Sequence, residues 1–578
     1  MERQAILHKS KSNFAYAYDN KTLHLRLRSK RDDLTAVTLQ IDHETGWLPN
    51  EQGVYMWQKK QIPMKKEFST ELYDYWFTEV EPYELKARYG FLVEDEQEQF
   101  IYTERGFFSP DDSYIANDIN SYFAFPYLHE QDIFSAPDWV KKTVWYQIFP
   151  ERFKNGDSTN DPENTHEWSN EETAILGEHE FYGGDLRGII EKLPYLAELG
   201  ISGIYMTPIF KSPTSHKYDT EDYFEIDPHF GTKEDLRELV DKAHKLGIRI
   251  MLDAVFNHIG WTSYQFKDAM EKKEKSKYYD WFYFEDDSYL NFSYHMPKLN
   301  TSNPEVKRYL LEVARYWIVE ADIDGWRLDV ANEIDHQFWR EFRKVVKEAK
   351  EDAYICGEIW HDSNAWLNGD QFDGVMNYQL AKPIQEWIAT NRINGKEFVE
   401  QFVNNYTRYT KNQNAGMFTL LDSHDTPRIT TQAGGNYQKV DMCFVLLATT
   451  PGSVCYYYGS EIYLEGHDDP DSRRCMNWDE SLPTSNLEQL IKLRNQYPEF
   501  GYAGDYTFLL TEENTVMFKK FSDHDELYFL FNTHGNNQVS LPKELEGGTF
   551  INLINEEIIA LNKTLEMTAF SYLILKKI

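Results

Sequence analysis

Eight short apolar runs recur between residues 144 and 459, and four of them carry a carboxylate at their C-terminal end. The runs are VWYQIFP (144–150), GIYMTPIF (203–210), IRIMLDAVF (248–256), IDGWRLDVA (323–331), AYICGEIW (353–360), FDGVMNY (372–378), GMFTLLDSH (416–424) and SVCYYYG (453–459). Helical periodicity separates several of them: DLRGIIEKLPYLAELG (185–200) stops on a glycine, and TKEDLRELVDKAHKLG (232–247) opens on a threonine cap. Buried strands alternating with amphipathic helices predict an α/β fold with a parallel sheet covered by helices. Eight strands is the number that closes a (β/α)8 TIM barrel, at roughly 31 residues per step. Asp329 to Glu358 is one such step and Glu358 to Asp425 nearly two, whereas Asp253 to Asp329 is longer than one step by roughly 45 residues. The surplus predicts a small subdomain inserted after the third barrel strand, at 257–302.

The flanks follow a different rhythm. Residues 1–121 alternate in short runs such as TLHLRLRS and AVTLQI between turn-rich clusters, which predicts an N-terminal β-sandwich. Its aromatics include Tyr55, Trp57, Tyr73, Tyr75 and Trp76, most of which the alternation assigns to the core. Residues 122–140 read as a linker, 141–499 as the barrel, and 500–578 as a C-terminal antiparallel β-domain. With 60 Lys and Arg against 95 Asp and Glu the formal charge is −35, a field that repels nucleic acid and anionic membrane surfaces. No apolar stretch reaches the roughly 18 residues of a membrane span. The N-terminus has no apolar signal region, and the four cysteines form neither a CxxC pair nor a disulfide framework, so a cytoplasmic location is expected.

In a βα barrel the C-terminal strand ends open into one cleft, so Asp253, Asp329, Glu358 and Asp425 should converge there. Any one of them alone reads equally well as a cap or an ion-pair partner, but four together point to catalysis. Two carboxyl groups about 5–5.5 Å apart run a retaining glycoside hydrolysis, one as nucleophile and one as acid and then base. Asp329 suits the nucleophile because Arg327, two positions earlier, emerges on the same strand face and would hold it ionised. Glu358 suits the proton donor, with Trp360 as an apolar neighbour. His258 and His424 each lie beside a strand-end carboxylate and are candidates for binding sugar hydroxyls.

DAVFNH (253–258), GWRLDVANE (325–333), GEIW (357–360) and LLDSHD (420–425) resemble, in order and spacing, the sequence regions of the α-amylase superfamily of glycoside hydrolases. MPKLN (296–300) and VANE (330–333) resemble the subgroup of cyclomaltodextrinases, neopullulanases and maltogenic amylases. The resemblance implies that Asp329 is the nucleophile, Glu358 the acid/base and Asp425 a third carboxylate gripping sugar hydroxyls. It implies that Arg327, His258 and His424, with Asp253 beside them, bind the sugar at the cleavage point, that Tyr218 in HKYDT forms a platform under it, and that His216 lies nearby. Glu333 and Trp360 would shape the acceptor side together with Arg428 in DTPR (425–428), where Pro427 replaces an expected acidic residue.

NGDSTND (155–161) and GGD (183–185) are rich in turn formers. Asn155, Asp157, Asn160 and Asp161 nevertheless offer four side-chain oxygens within seven residues, which suits a hard cation. The subgroup's calcium loop resembles this stretch, which implies a structural calcium completed by the Gly183 carbonyl and Asp185, and no organic cofactor. The resemblance further implies hydrolysis of α-1,4 links in cyclodextrins, pullulan and malto-oligosaccharides with some transglycosylation, by a homodimer built through the N-terminal domain. The rival readings are an α-glucosidase or a 4-α-glucanotransferase on the same scaffold, or a non-catalytic glucan-binding protein. The last should lack one of the three carboxylates.

Overall fold

The computed structural model describes residues 1–43, 45–49, 51–171, 174–286 and 288–578. At its centre stands the expected barrel. Its strands are β1 (Val144–Ile148), β2 (Gly203–Met206), β3 (Arg249–Ala254), β4 (Gly325–Leu328), β5 (Tyr354–Gly357), β6 (Gly374–Val375), β7 (Phe418–Leu420) and β8 (Ser453–Tyr457). They pair in parallel from β1 through to β6 and from β7 through β8 back to β1. The remaining gap, between β6 and β7, is spanned by a parallel bridge from Met376 to Phe418. Gly374 and Gly416 meet at this seam, where a Cβ on either would run into the other segment's backbone.

Each strand turns alternate side chains inward. Trp145, Tyr205, Met251, Tyr354, Cys356, Phe418, Leu420 and Cys455 fill the barrel interior. Two residues further along, on the same face, come Gln147 on β1, Asp253 on β3 and Arg327 on β4, with Glu358 just past β5; the barrel's C-terminal layer is therefore polar. The helices around the barrel begin where their caps predict. Asp185 caps Leu186–Leu199, which ends at Gly200 (φ 92°), and Thr232 with Asp235 forms a reciprocal capping box on Lys233–Lys245.

Two local expectations change. No helix links β5 to β6: HDSNAWLNGD supplies turn formers, and only a single 3₁₀ turn, Asn364–Trp366, forms there. Within the supposed linker, Phe123–Phe125 is a strand antiparallel to Ala87–Glu94, with Phe123 and Phe125 in the sandwich core. An F-A-F alternation beside a sheet edge is enough to recruit it, and Pro126 ends it.

The N-terminal domain packs a four-stranded sheet against a second sheet whose main path holds five strands, around a shared core of Leu23, Leu25, Leu27, Val37, Leu39 and Phe91. Trp57, Tyr75 and Trp76 are buried, whereas Tyr55 is 65% exposed. The sandwich docks on the barrel helix Gly395–Thr407: Asn13 and Arg26 donate to the Thr407 carbonyl, and Tyr75 to Asn404. The insertion at 257–302 holds the helix Tyr264–Lys272 and two short strand pairs, its Asp287 lying outside the described residues. The C-terminal domain begins its strands at Asp505 and packs a six-stranded antiparallel sheet against a two-stranded one. Among the described residues, no helix is long and apolar enough to cross a membrane.

Two sandwich histidines make stability depend on pH. Burial pushes His8 down to about 4 and His24 to about 3. Below about pH 6.5 the unfolded chain protonates them while the native domain does not, so stability is full above 6.5 and falls toward 4. Lowering the pH from 7 to 5 should remove about 2 kcal/mol per histidine from the sandwich. Calorimetry on the wild type and on His8→Gln should show a smaller pH-induced drop in the variant. Equal drops would contradict the assignment.

Candidate active site

Arg327 lies at the centre of the polar layer, 1% exposed. Its Nη1 donates to both oxygens of Asp253 at 2.9 Å and to Asp329 Oδ1 at 2.8 Å, while Nη2 pairs with Glu358 Oε2 at 2.8 Å. One guanidinium thus collects carboxylates from the ends of three adjacent strands, and the sequence-predicted trio of Arg327, Asp329 and Glu358 is brought together. Burial lifts Asp329 well above the usual carboxylate range; Arg327 opposes the lift, and the charges on Glu358, Asp253 and Asp425 add to it. Burial also raises Asp253 against the pull of Arg327. Asp253 and Asp329 share a single cation, so the two titrate together and not as independent carboxylates.

Glu358 is gripped at both oxygens. Oε2 accepts the Val330 N–H at 3.0 Å and Oε1 the Trp360 indole N–H at 3.1 Å. Val330 has φ 44° and ψ 43°, a left-handed conformation that is an outlier for a β-branched residue. Its strain aims the amide at Glu358 directly behind Asp329. Trp360 is half-exposed and stacks on Tyr378 with ring centroids 3.7 Å apart.

Asp425 sits across the cleft at the rim, its carboxylate 3.3 Å from Arg473 Nη2 and 3.1 Å from His424 Nε2. Tyr218 stacks parallel to His424, and its hydroxyl lies 2.6 Å from His424 Nε2 and 3.0 Å from Asp253 Oδ2. Burial keeps the phenols of Tyr218 and Tyr205 protonated, and Tyr205 donates to Asp253 at 2.7 Å. His216 Nδ1 accepts the Tyr218 N–H, and burial pushes both His216 and His258 down to about 3, so both are neutral. His258 Nε2 bonds the Tyr218 carbonyl, and Phe292 of the insertion stacks over its ring. Glu333 is exposed at the rim and tied to Lys298 of MPKLN at 3.3 Å.

Arg428 does not reach the cleft. It is buried, donates to the carbonyls of Ser472 and Tyr458 and packs on Tyr457 and Tyr458, so it braces the loop after β8. Its place in the sequence, three residues after Asp425, suggested the cleft, but its guanidinium is taken up by backbone carbonyls. Sequence reasoning missed three residues of the site. Gln147 and Tyr205 were legible by alternation from Trp145 and Gly203, whereas Arg473 arrives from a loop beyond β8 and left no local signal.

In the loop after β1, Asn155 donates to Asp161, and a Cβ on Gly183 (φ 80°) would collide with both. Asn160 Oδ1 is buried with no hydrogen-bond partner among the described residues. That orphaned oxygen and the convergence of Asn155, Asp161 and Gly183 suit an oxygen-seeking cation. Asp185 caps the next helix and anchors the loop, its oxygens accepting N–H groups from Gly156, Asp157, Gly188 and Asn160. Among the described residues no three His, Cys, Asp or Glu side chains form a metal cluster.

Residues 147–502 match the family model of the alpha amylase catalytic domain, and residues 1–129 that of the alpha amylase N-terminal ig-like domain. The chain belongs to the α-amylase family. Among relatives, a cyclomaltodextrinase of Geobacillus thermopakistaniensis is 47% identical, with 96% of each chain covered. An intracellular maltogenic amylase of Bacillus subtilis is 43% identical over 92% of this chain and 91% of its own. A solved cyclomaltodextrinase structure superposes with a TM-score of 0.91 at 40% identity, covering all of both chains. As an α-amylase family member the protein is a glycoside hydrolase.

The carboxylate cluster generates a prediction about Arg327. Arg327→Met should destabilise the protein by about 3–5 kcal/mol at pH 7, because it leaves three buried carboxylates without their cation. The deficit should shrink at low pH, where protonation relieves their repulsion. Denaturant titrations at pH 7 and pH 5 check both parts.

Proposed function

We propose that the protein hydrolyses α-1,4-glucosidic links of cyclodextrins, pullulan and malto-oligosaccharides with retention, and transfers some glycosyl groups. The observation that carries this reading is the shared guanidinium, which holds Asp329 and Glu358 as neighbours and suits the short carboxylate separation of retaining enzymes, about 5–5.5 Å. The Asp329 carboxylate attacks the anomeric carbon. The glycosidic C–O bond breaks, and the proton on Glu358 passes to the departing oxygen. Glu358, now a carboxylate, takes a proton from water whose oxygen attacks the same carbon and releases Asp329. Asp425, held at the rim by Arg473, grips hydroxyls of the distorted ring, and Tyr218 lies beneath it. When a sugar hydroxyl replaces water, transfer results; Glu333 and Trp360 border the acceptor side.

Asp329→Asn should abolish turnover of γ-cyclodextrin and leave the fold intact, since an amide cannot form the glycosyl ester. Glu358→Gln should keep partial activity on a substrate whose leaving group needs no proton. Near wild-type rates for Asp329→Asn would refute the assignment. Panose from pullulan supports α-1,4 cutting, whereas maltotriose would mark α-1,6 cutting. Glucose as the sole product would favour an α-glucosidase.

The loop at 155–185 is proposed to hold a structural calcium through Asn155, Asp157, Asn160, Asp161, Asp185 and the Gly183 carbonyl. Bound there, the ion would cross-link the loop that follows β1. EDTA should then lower Tm and added calcium restore it, by binding to the native state alone. Identical melting curves would remove the site.

A homodimer through the sandwich is the proposed assembly, in the cytoplasm. The hairpin of Trp47–Pro49 and Tyr55–Trp57 supports it by exposing Leu48 and Tyr55. Four free, buried cysteines and the name of the Bacillus subtilis relative support the location. Deleting residues 1–125 should give a monomer with a lower ratio of cyclodextrin to starch activity. Light scattering and paired rates check this, and an unchanged ratio would contradict it.

A further inference from the structure

Gln147 has no assigned part in the reaction, yet it lies in the barrel interior against His424. Both residues are fully buried, and the Gln147 amide nitrogen is 2.7 Å from His424 Nδ1. The other amide atom, Oε1, is buried without a hydrogen-bond partner among the described residues. A glutamine that leaves one end unsatisfied in a barrel core is costly unless the other end is needed.

The far side of the imidazole settles which nitrogen carries the proton. His424 Nε2 is 2.6 Å from the Tyr218 hydroxyl and 3.1 Å from Asp425 Oδ2. A bare nitrogen lone pair facing a carboxylate oxygen is repulsive, so Nε2 bears hydrogen. The Tyr218 hydroxyl accepts from it and passes its own proton toward Asp253 Oδ2, 3.0 Å away. That leaves Nδ1 as the acceptor, and the Gln147 N–H as its donor. The result is a directed chain running from Gln147 through His424 and Tyr218 to Asp253, the carboxylate clamped by Arg327.

We infer that Gln147 is a positioning residue that fixes His424 as the neutral Nε2–H tautomer, so that His424 donates to the Tyr218 hydroxyl and holds that ring in place in the cleft. The inference rests on the reading of this cleft as the glycosidase site. Because the amide can donate at Nδ1, it supports the neutral ring; a carboxylate in its place would instead accept from an Nδ1–H and favour the imidazolium. The charged and titratable groups around His424 are Asp425 and Arg473 at the rim, Arg327 and Glu358 in the cluster, and Tyr218 and His216 beneath.

The test is ¹⁵N spectroscopy of the intact protein labelled at histidine, with His424→Asn used only to assign the signal. In the wild type, His424 should show a protonated Nε2 and a bare Nδ1 from pH 5 to pH 8. Gln147→Glu should protonate both nitrogens, add an ionisation to the pH profile of kcat/KM on γ-cyclodextrin, and lower it on the order of tenfold. Gln147→Met, which neither donates nor accepts, should lower the rate without adding that ionisation. A wild-type spectrum with hydrogen on Nδ1 overturns the inference, whether or not the variants fold. So does a folded Gln147→Glu protein with unchanged tautomer and unchanged pH profile. Full activity in Asp329→Asn would instead overturn the glycosidase reading, a result the tautomer measurement does not depend on.

Discussion

The upper layer of the barrel depends on one buried cation. Asp253, Asp329 and Glu358 close three adjacent strands, and each would strongly resist leaving water alone. Arg327 makes their convergence possible by turning Nη1 to Asp253 and Asp329 and Nη2 to Glu358. A lysine could not replace it, because a point charge has no planar fork with which to hold several carboxylates in fixed directions. One guanidinium cannot neutralise three anions, however: burial and the neighbouring carboxylates lift Asp329, and Arg327 only opposes that lift.

Around this centre the structure uses elements that converge from distant parts of the sequence. Tyr218 comes from the loop after β2 and Phe292 from the insertion, while Arg473 comes from beyond β8. Lys298 ties the insertion to the segment just past Asp329 through the Glu333 carboxylate and carbonyl, and to its own start beyond β3 through Asn257. The insertion is thereby coupled to the segment that follows Asp329. Its position follows from the fold: a long excursion after β3 can only emerge at the C-terminal face, where the carboxylates are.

Most of the barrel could be read from the chain because fully buried strands are nearly continuous apolar runs, and a carboxylate ending such a run is seldom a solvated surface charge. Asp253, Asp329, Glu358 and Asp425 were legible for that reason, while Gln147 and Tyr205 needed the further step of following alternate residues along β1 and β2. β6 is only Gly374–Val375, and the turn-rich connection before it removes the helix that the average spacing implied. Arg428 misled because proximity to Asp425 in sequence says nothing of direction after a proline; its guanidinium ended on backbone carbonyls. The strand Phe123–Phe125 was hidden by its shortness, since three residues before a proline look like connection until a sheet edge is there to receive them. What stayed illegible is tertiary: no local pattern places Arg473 against Asp425.

Val330 shows where the structure accepts a local cost to hold this arrangement. A β-branched residue in the left-handed region is strained by about 1–3 kcal/mol, and glycine would adopt the same angles freely. Freedom is the disadvantage: a glycine directly after Asp329 could also leave those angles, taking with it the N–H that fixes Glu358 Oε2. The strained valine persists because the contacts on either side of it over-determine the backbone. Asp329 is tied to Arg327, the Val330 amide to Glu358, and Ala331 is buried with its carbonyl accepting from Trp339. The peptide between Asp329 and Val330 is therefore held at both ends, and the relative position of the Asp329 and Glu358 carboxyl groups is set by the fold.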